Sequence, residues 1–295
     1  MAVEFSSPAS RLLYWAALPF GWRVELVEPG EPVEGYDLLI AFTPDAFPGE
    51  SRTLPGPKAL GAAADLLVAK RLIRALGIPT PGFGRVEGEG ELAAMVRVHG
   101  LPARLRPRRG GPAIYVDSPD YPPPKGSFVY ERAYPYRAEL LLLAVGGGGV
   151  SCLPPAWREG EAWLFPFELE EGVAGRVCGY LERLLLALGH RGVLEARAGL
   201  LPNGEIQVLD FQPYPGPRSL FLPELAEAHI RAGLGWAVPP PPVGPRAVVP
   251  ARSLEAVAAR DRAHPFVLDR VYARLEARGA EELRRLVREL GEGVA

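Results

Sequence analysis

The segment from Val193 to Ser219, VLEARAGLLPNGEIQVLDFQPYPGPRS, constrains the fold of this chain more than any other stretch. It predicts two strands joined by a tight turn at residues 202–205. Both strands carry acidic or amide side chains within otherwise apolar runs, namely Glu195, Asp210 and Gln212. Two carboxylates on adjacent strands could hold a divalent metal and, through it, a phosphate group. Hydrogen-bonded or solvated carboxylates are the alternative at this point.

The overall charge and hydropathy exclude several classes of partner. The chain has 295 residues and a net charge of −2, so bulk electrostatics do not attract it to nucleic acid or to a membrane. No uninterrupted apolar run reaches membrane-spanning length, and the N-terminus lacks the basic and apolar regions of a signal peptide. We therefore expect a cytoplasmic protein without nucleic-acid or membrane partners, and a homodimer is compatible with these features.

Residue usage within classes is uneven. Asparagine occurs only at Asn203, and there are 33 prolines, many of them in loops. The basic residues are nearly all arginine, and lysine occurs only at Lys58, Lys70 and Lys125. This bias suggests a thermophile, although a GC-rich genome would produce much of it.

The cysteines and histidines give no sign of a metal or catalytic cluster. Cys152 and Cys178 lie far apart without metal-like spacing, so we predict buried free thiols. The four histidines also lack cluster spacing, and we predict surface or helix-end positions for all of them: His99, His190, His229 and His264.

Hydrophobic periodicity predicts a mixed α/β chain. Helices are expected at residues 11–18, 60–76, 89–99, 172–188 and 224–232. Besides the hairpin, strands are expected at 22–27, 36–42, 102–106, 113–116, 128–131, 138–145 and 149–153. The run of prolines at residues 238–245 predicts a stiff polyproline linker, followed by a largely helical remainder with Arg284 to Arg288 on a solvated face.

Five strings in this order resemble segments of the ATP-grasp superfamily, and most closely the ATP-dependent carboxyaminoimidazole ribonucleotide synthases of purine biosynthesis. The strings are RLLYWAALPFGWRVELVEP from Arg11, ADLLVAKRLIRALGIPTP from Ala64, HGLPARLRPRRGG from His99, YERAYPYRAEL from Tyr130 and GVLEARAGLLPNGEIQVLDFQP from Gly192. The resemblance implies an α/β (α+β) chain with an ATP-grasp fold. It divides the chain into a small N-terminal α/β domain (1–61), a small subdomain with a truncated lid (62–130), a large subdomain (131–237) and a proline linker with a helical C-terminal tail (238–295).

The resemblance also implies cofactors and site residues. ATP and Mg²⁺ are the implied cofactors, and a nucleotide and a small-molecule substrate are the implied partners. Arg106 stands where the family has a lysine that contacts the nucleotide phosphates. Glu131 is implied to lie near the adenine amino group, and Glu139 to accept hydrogen bonds from the ribose hydroxyls. Solvated carboxylates at strand ends are the alternative for both. Asp210 stands at the second of the two metal-binding glutamates.

Several positions depart from the family where its chemistry takes place. The glycine-rich lid is shortened to residues 110–112, and the substrate-reading string "PRPHNSGH" becomes PYPGPRS at 213–219. Arg197 replaces the first metal-binding glutamate. Arg197 facing Asp210 would form a bidentate ion pair that fills the magnesium site. A shift of one pair in the strand register would instead bring Glu195 opposite Asp210 and rebuild a metal site.

These observations leave distinct functions open. The first is an ATP-dependent carboxylate– or bicarbonate–amine ligase that works through an acyl phosphate, although we expect no ordinary carboxyaminoimidazole ribonucleotide synthase activity. The second is a catalytically inactive relative that binds a nucleotide or metabolite or serves as a partner subunit. A purely structural role is the third, because fold does not fix function.

Overall fold

A computed structural model describes residues 1–5, 8–18, 21–48, 52–122, 125–219, 222–239, 244–251, 257, 263–267 and 271–291. Within these ranges no helix is long and apolar enough to cross a membrane. The chain begins with a small α/β unit whose elements are β1 (Ala2–Glu4), α1 (Pro8–Ala17), β2 (Glu25–Val27), β3 (Leu39–Ile40) and β4 (Thr53–Leu54). The strands are parallel in the order β2-β1-β3-β4. The predicted small N-terminal α/β unit is therefore confirmed.

The single helix predicted for residues 60–76 is wrong, because two helices cover this segment. They are α2 (Pro57–Ala64) and α3 (Leu66–Ala75). Asp65 between them is extended, at φ −119° and ψ 108°, and its side chain accepts a hydrogen bond of 2.9 Å from the Leu67 amide. An aspartate that caps a new helix satisfies amides which a continuous helix would satisfy internally. Asp65 also pairs with the guanidinium of Arg108.

A four-stranded antiparallel sheet forms the next layer. Its elements are β5 (Phe83–Val86), β6 (Ala103–Pro107), β7 (Ile114–Val116) and β8 (Phe128–Arg132), with α4 (Glu89–His99) packed beside it. The strand order is β5-β8-β6-β7. Alternation along β6 buries Ala103 and Leu105 completely and leaves Arg104 and Arg106 on the other face.

An eight-stranded sheet is the largest layer of the molecule. Its first strands are β9 (Ala138–Gly146), β10 (Val150–Glu159), β11 (Ala162–Phe165), β12 (Gly192–Leu200) and β13 (Ile206–Gln212). Two helices accompany them, α5 (Glu171–Leu188) before β12 and α6 (Glu224–Gly233) after β13. One face of the sheet packs on α5, as Leu142 and Leu194 contact Leu181 in one core. The other face packs on α6, where Leu143 and Val193 meet Leu225. The polar side chains of β12 and β13 belong to this second face.

The C-terminal tail corrects the helical prediction. It contains β14 (Arg246–Pro250), β15 (Ala263–Val267), β16 (Val271–Glu276) and only then a helix, α7 (Ala280–Gly291). The strands join the large sheet in the order β13-β12-β9-β10-β11-β14-β16-β15. Helix-favouring residues in VYARLE form a strand here because β14 and β15 pair with both of its sides. In α7 the arginines at 284, 285 and 288 are exposed, as predicted.

Two parts of the predicted organisation stay predictions. Residues 240–243 of the polyproline linker lie outside the described residues. The domain boundaries after residues 61, 130 and 237 are likewise kept as predictions.

The prediction of free thiols is wrong, because Cys152 and Cys178 form a disulfide. Their Cα atoms lie 5.7 Å apart, within the usual range for such a bond. Cys152 is on β10 and Cys178 on α5, so the disulfide fastens the helix to the sheet. Their separation of 26 residues in the sequence gave no signal of this packing.

His229 also departs from the prediction, because it is fully buried within α6. Its Nδ1 accepts a hydrogen bond of 3.0 Å from the Val193 amide. His190 follows α5 and is buried as well, with Nε2 3.0 Å from the Val193 carbonyl oxygen. Burial lowers the pKa of His190 to about 4, and burial together with the nearby His190 lowers the pKa of His229 well below its usual value.

These two histidines predict a loss of stability in mild acid. Both are neutral when folded and take up a proton near pH 6.5 when unfolded, so the unfolded state binds more protons below that pH. We expect the free energy of unfolding to fall by about 2–3 kcal/mol between pH 7.5 and 5.5, by the linkage relation. Denaturant unfolding at a series of pH values measures it. The slope should shrink in His190→Asn, and an unchanged slope in that variant would contradict the assignment.

Candidate ligand-binding site

The hairpin of β12 and β13 places Arg197 directly opposite Asp210. Arg197 Nε donates hydrogen bonds to both carboxylate oxygens, at 2.9 Å to Oδ1 and 3.1 Å to Oδ2. The ion pair predicted from the sequence is therefore present. Glu195 lies opposite Gln212 instead of Asp210, so the strand register is not shifted by one pair.

A second arginine reaches Asp210 from the other sheet. Arg106 on β6 donates from Nη2 to Asp210 Oδ2 at 2.6 Å. The contact bridges the four-stranded and eight-stranded sheets, which face one cleft as predicted. Burial alone would raise the pKa of Asp210, but the attraction of Arg197 and then of Arg106 outweighs it and holds that pKa well below its usual range.

This triad is the centre of a line of alternating charges that runs across the cleft. The line is Lys70, Glu131, Arg106, Asp210, Arg197, Glu139 and Arg158. Glu131 Oε2 lies 3.9 Å from Arg106 Nη1. Glu139 accepts from Arg197 at 3.4 Å and from Arg158 at 3.2 Å. Four cations thus share three carboxylates, and every carboxylate lies between two cations.

Lys70 is a member of this line that sequence reasoning did not assign. The side chain is fully buried and forms an ion pair with Glu131, whose side chain is only 3% exposed. Its second polar contact is Thr80 Oγ1 at 3.4 Å. Desolvation lowers the pKa of Lys70, and the attraction of Glu131 counteracts the effect. The signal available was a lysine in a chain that has only three, inside one of the strings that carry the resemblance.

Glu195 fixes the loop that follows the hairpin. It is buried and accepts hydrogen bonds from Gln212 Nε2 at 2.6 Å and from the Gly216 amide at 2.7 Å. A side chain at residue 216 would have to displace the Gln212 amide that donates to Glu195, so glycine favours this close approach. Burial raises the pKa of Glu195, and the polar contacts of the loop lower it less.

Two cavities lie on either side of Arg197. The first, of about 240 Å³, is bounded by the N-terminal unit, the shortened lid and the hairpin, and it exposes Arg106, Arg108, Arg197 and Arg218. The second, of about 350 Å³, lies on the large sheet and is lined by Glu139, Arg158, Glu161, Trp163, Val248, Pro250 and Tyr272, together with the three residues that it shares with the first. The shared residues are Arg197, Gln212 and Arg218. Arg218 is a second residue that the sequence analysis did not single out.

No protein-family profile and no curated protein matches the chain at significance. Solved structures match over nearly the whole length. An N5-carboxyaminoimidazole ribonucleotide synthetase from Thermus thermophilus has a TM-score of 0.83 at 22% identity, covering 99% of this chain and 97% of that one. The chain has the ATP-grasp fold. This confirms the resemblance found in the sequence, at the level of the fold.

Two further ATP-grasp enzymes agree with this assignment. The synthetase from Thermotoga maritima has a TM-score of 0.84 at 17% identity and covers 98% of this chain and 97% of its own. A synthase from Aspergillus clavatus, solved with ADP and 5-aminoimidazole ribonucleotide, has a TM-score of 0.84 at 15% identity and covers 99% of this chain and 98% of its own.

The residues present do not fit the metal that the ATP-grasp resemblance implies. Magnesium needs oxygen ligands from both strands. Here both oxygens of Asp210 already bind guanidinium groups, and both oxygens of Glu195 accept hydrogen bonds from protein donors. Among the described residues, no group of three or more acidic, histidine or cysteine side chains could hold a metal ion.

Proposed function

We propose that this ATP-grasp protein binds a nucleotide, or another metabolite that carries phosphate, without acting as a magnesium-dependent ligase. The observation that carries the proposal is the occupation of Asp210 by Arg106 and Arg197. Phosphoryl transfer depends on metal ions and cations that neutralise the developing charge. Loss of one such stabilising group typically costs about 10²–10³ in rate. A hairpin that holds an arginine in the place of a metal ligand therefore favours binding over turnover.

Three residues have proposed contacts with such a ligand. Arg106 contacts its phosphates, Glu139 accepts hydrogen bonds from its ribose hydroxyls, and Glu131 lies nearest its adenine amino group. The partial exposure of Arg106 and Glu139 supports the first two contacts, since the exposed fractions of their side chains are 21% and 22%. The ADP held by the Aspergillus clavatus synthase supports a nucleotide as the class of ligand.

An ATP-dependent carboxylate–amine ligase is the second candidate. The observation that favours it is the ATP-grasp fold itself, which the solved synthetases share over almost their full length. In that case Arg106 and Arg197 would have to supply all of the charge neutralisation that a metal provides elsewhere.

Nucleotide binding and turnover separate the two candidates. We expect calorimetry to detect ADP binding, and we expect ATP turnover with carboxylates and amines, including bicarbonate with aminoimidazole ribonucleotide, to remain at background. The matched control is Asp210→Asn, which removes the negative charge while keeping the shape. Magnesium-dependent ATP turnover in the parent that disappears in this variant would overturn the proposed function and establish the ligase.

A further inference from the structure

We propose that the first cavity binds the phosphate groups of its ligand free of metal, with Arg197 in the position of the divalent cation and Arg218 as a positive charge that has no ion-pair partner among the described residues. This inference rests on the proposed function, because it describes how that ligand's phosphates are held. Phosphate sites that use a divalent metal bind the metal complex of their ligand. Here the metal-bound form of the ligand should bind more weakly than the metal-free form.

The first step is the fixed position of Arg197. Its guanidinium makes several hydrogen bonds to Asp210 and one to Glu139, so the positive charge is held on the sheet at the mouth of both cavities. A divalent cation would need the same Asp210 oxygens and would meet the guanidinium groups of Arg106 and Arg197 beside them. Like charges at that distance repel strongly in a partly desolvated site. The protein therefore carries its own cation where a metal would bind.

The second step is the balance of charge around the first cavity. The line of alternating charges contains four cations and three carboxylates, and Arg108 is matched separately by Asp65. Arg218 adds one cation, and Glu195 is the one carboxylate among the cavity's lining residues that the line does not include. With Glu195 counted as ionised, the line, Arg218 and Glu195 together are five cations and four carboxylates. The cavity thus keeps an excess of positive charge before any metal is considered.

The third step concerns Arg218. Within the described part of the chain it has no carboxylate within the 4.0 Å of an ion pair, although it faces both cavities. Desolvation, and after it the charge of Arg197, lowers the pKa of Arg218. An oxyanion between Arg197 and Arg218 would accept charge-assisted hydrogen bonds from both guanidinium groups. It would thereby offset the desolvation of Arg218 and its repulsion by Arg197.

The position of Arg218 is set by the loop around it. Its neighbour Ser219 donates from Oγ to the Gly216 carbonyl oxygen at 3.0 Å, and the Gly216 amide is held by Glu195 at 2.7 Å. A cation on a fixed loop loses little conformational freedom when a ligand binds. Glu195 therefore acts as a positioning residue for Arg218.

Calorimetric titration with pyrophosphate tests the inference without a nucleotide. We expect pyrophosphate to bind the full chain in the presence of EDTA, and excess magnesium to weaken its apparent affinity about tenfold or more, because the metal complex carries less negative charge. Binding that appears only with magnesium would overturn the inference, and so would the absence of pyrophosphate binding in EDTA. Inorganic phosphate in a parallel titration shows whether one phosphate group is sufficient.

Variants assign the binding to the proposed residues. Arg218→Ala should weaken pyrophosphate binding about 10- to 100-fold, as expected for a lost charge-assisted hydrogen bond, and Arg218→Lys should restore part of it. Arg85→Ala removes the same charge from a half-exposed side chain outside the cavities and should leave the affinity unchanged. Equal affinities in Arg218→Ala and the parent would contradict the inference.

A gain of metal binding provides the complementary measurement. Arg197→Glu would place two carboxylates opposite each other on the hairpin, and this variant should bind Mn²⁺, whereas Arg197→Gln and the parent should not. Binding of Mn²⁺ by the parent at its hairpin, abolished in Asp210→Asn, would overturn the inference and needs no folded Arg197 variant. ATP turnover bears on the proposed function alone, whereas the magnesium dependence of pyrophosphate binding bears on this inference alone.

Discussion

Replacing Asp210 with alanine is expected to lower the free energy of unfolding by about 3–5 kcal/mol, the usual result of removing one partner from a buried ion pair. Asp210 is the shared partner of Arg106 and Arg197, and its side chain is only 18% exposed. Its removal would leave two guanidinium groups close together in a poorly solvated site. Denaturant unfolding of the parent and the variant at pH 7 measures the difference, and a change below about 1 kcal/mol would show that water already screens the pair.

A double variant separates the cost of a broken pair from the value of the pair itself. Replacing Arg197 with Met and Asp210 with Leu removes this pair, and well-packed apolar replacements of buried pairs are often neutral or stabilising, so the loss that remains measures the cost of leaving Arg106 without Asp210. The pH dependence provides a second control. The folded-state pKa of Asp210 is depressed, so its contribution is present above the unfolded value of about 4 and is lost as the pH falls below it. The acid sensitivity due to Asp210 should therefore be absent from the double variant.

Replacing Glu131 with glutamine is expected to cost a similar 3–5 kcal/mol, because it leaves the fully buried Lys70 without its counter-charge. Without that attraction, desolvation would lower the pKa of Lys70 further. The unfolded lysine keeps a pKa near 10.4, so the unfolded state of the variant would bind more protons over a wide range of pH. The variant should therefore gain stability more steeply than the parent as the pH rises from 7 to 9.

The control for Glu131 is again the removal of both charges. Lys70→Met combined with Glu131→Leu should recover most of the lost stability, as measured by denaturant unfolding at pH 7. If the single variant is as stable as the parent at pH 7 and at pH 9, the ion pair between Lys70 and Glu131 does not stabilise the fold as described.

The fold was predictable where local patterns and tertiary packing agree. The tight turn at 202–205, with apolar runs on both sides, predicted the hairpin but left two registers open, and the order of the strings indicated the ATP-grasp arrangement. Predictions failed where contacts between segments far apart in the sequence determine the local structure. The helix-favouring string of β16 becomes a strand between two partners, and the disulfide depends on the packing of α5 on β10. Hydrophobic periodicity within a short stretch of sequence gives no information about the strand partners of β16 or about the packing of α5 on β10.

The site was predictable only along the hairpin. The Arg197–Asp210 pair was one of two pairings predicted for the hairpin, and the structure has it, with the two residues facing each other. Arg106 reaches the same carboxylate from a strand 104 residues earlier in the chain, and only the approach of the two sheets reveals it. Arg218 lies in a proline-rich loop without periodicity, so no local pattern marked the cation that faces both cavities.

The C-terminal strands have a practical consequence for work with shortened forms of this protein. β14 pairs with β11 along Trp163 to Phe165, and its Val248 and Pro250 line the second cavity. A chain ending at residue 237 would leave the hydrogen-bonding edge of β11 bare beside apolar side chains, which is a recognised route to self-association. Such a fragment would aggregate for reasons unrelated to ligand binding. The segment after residue 245 belongs to the folding unit, and binding experiments need a chain that includes it.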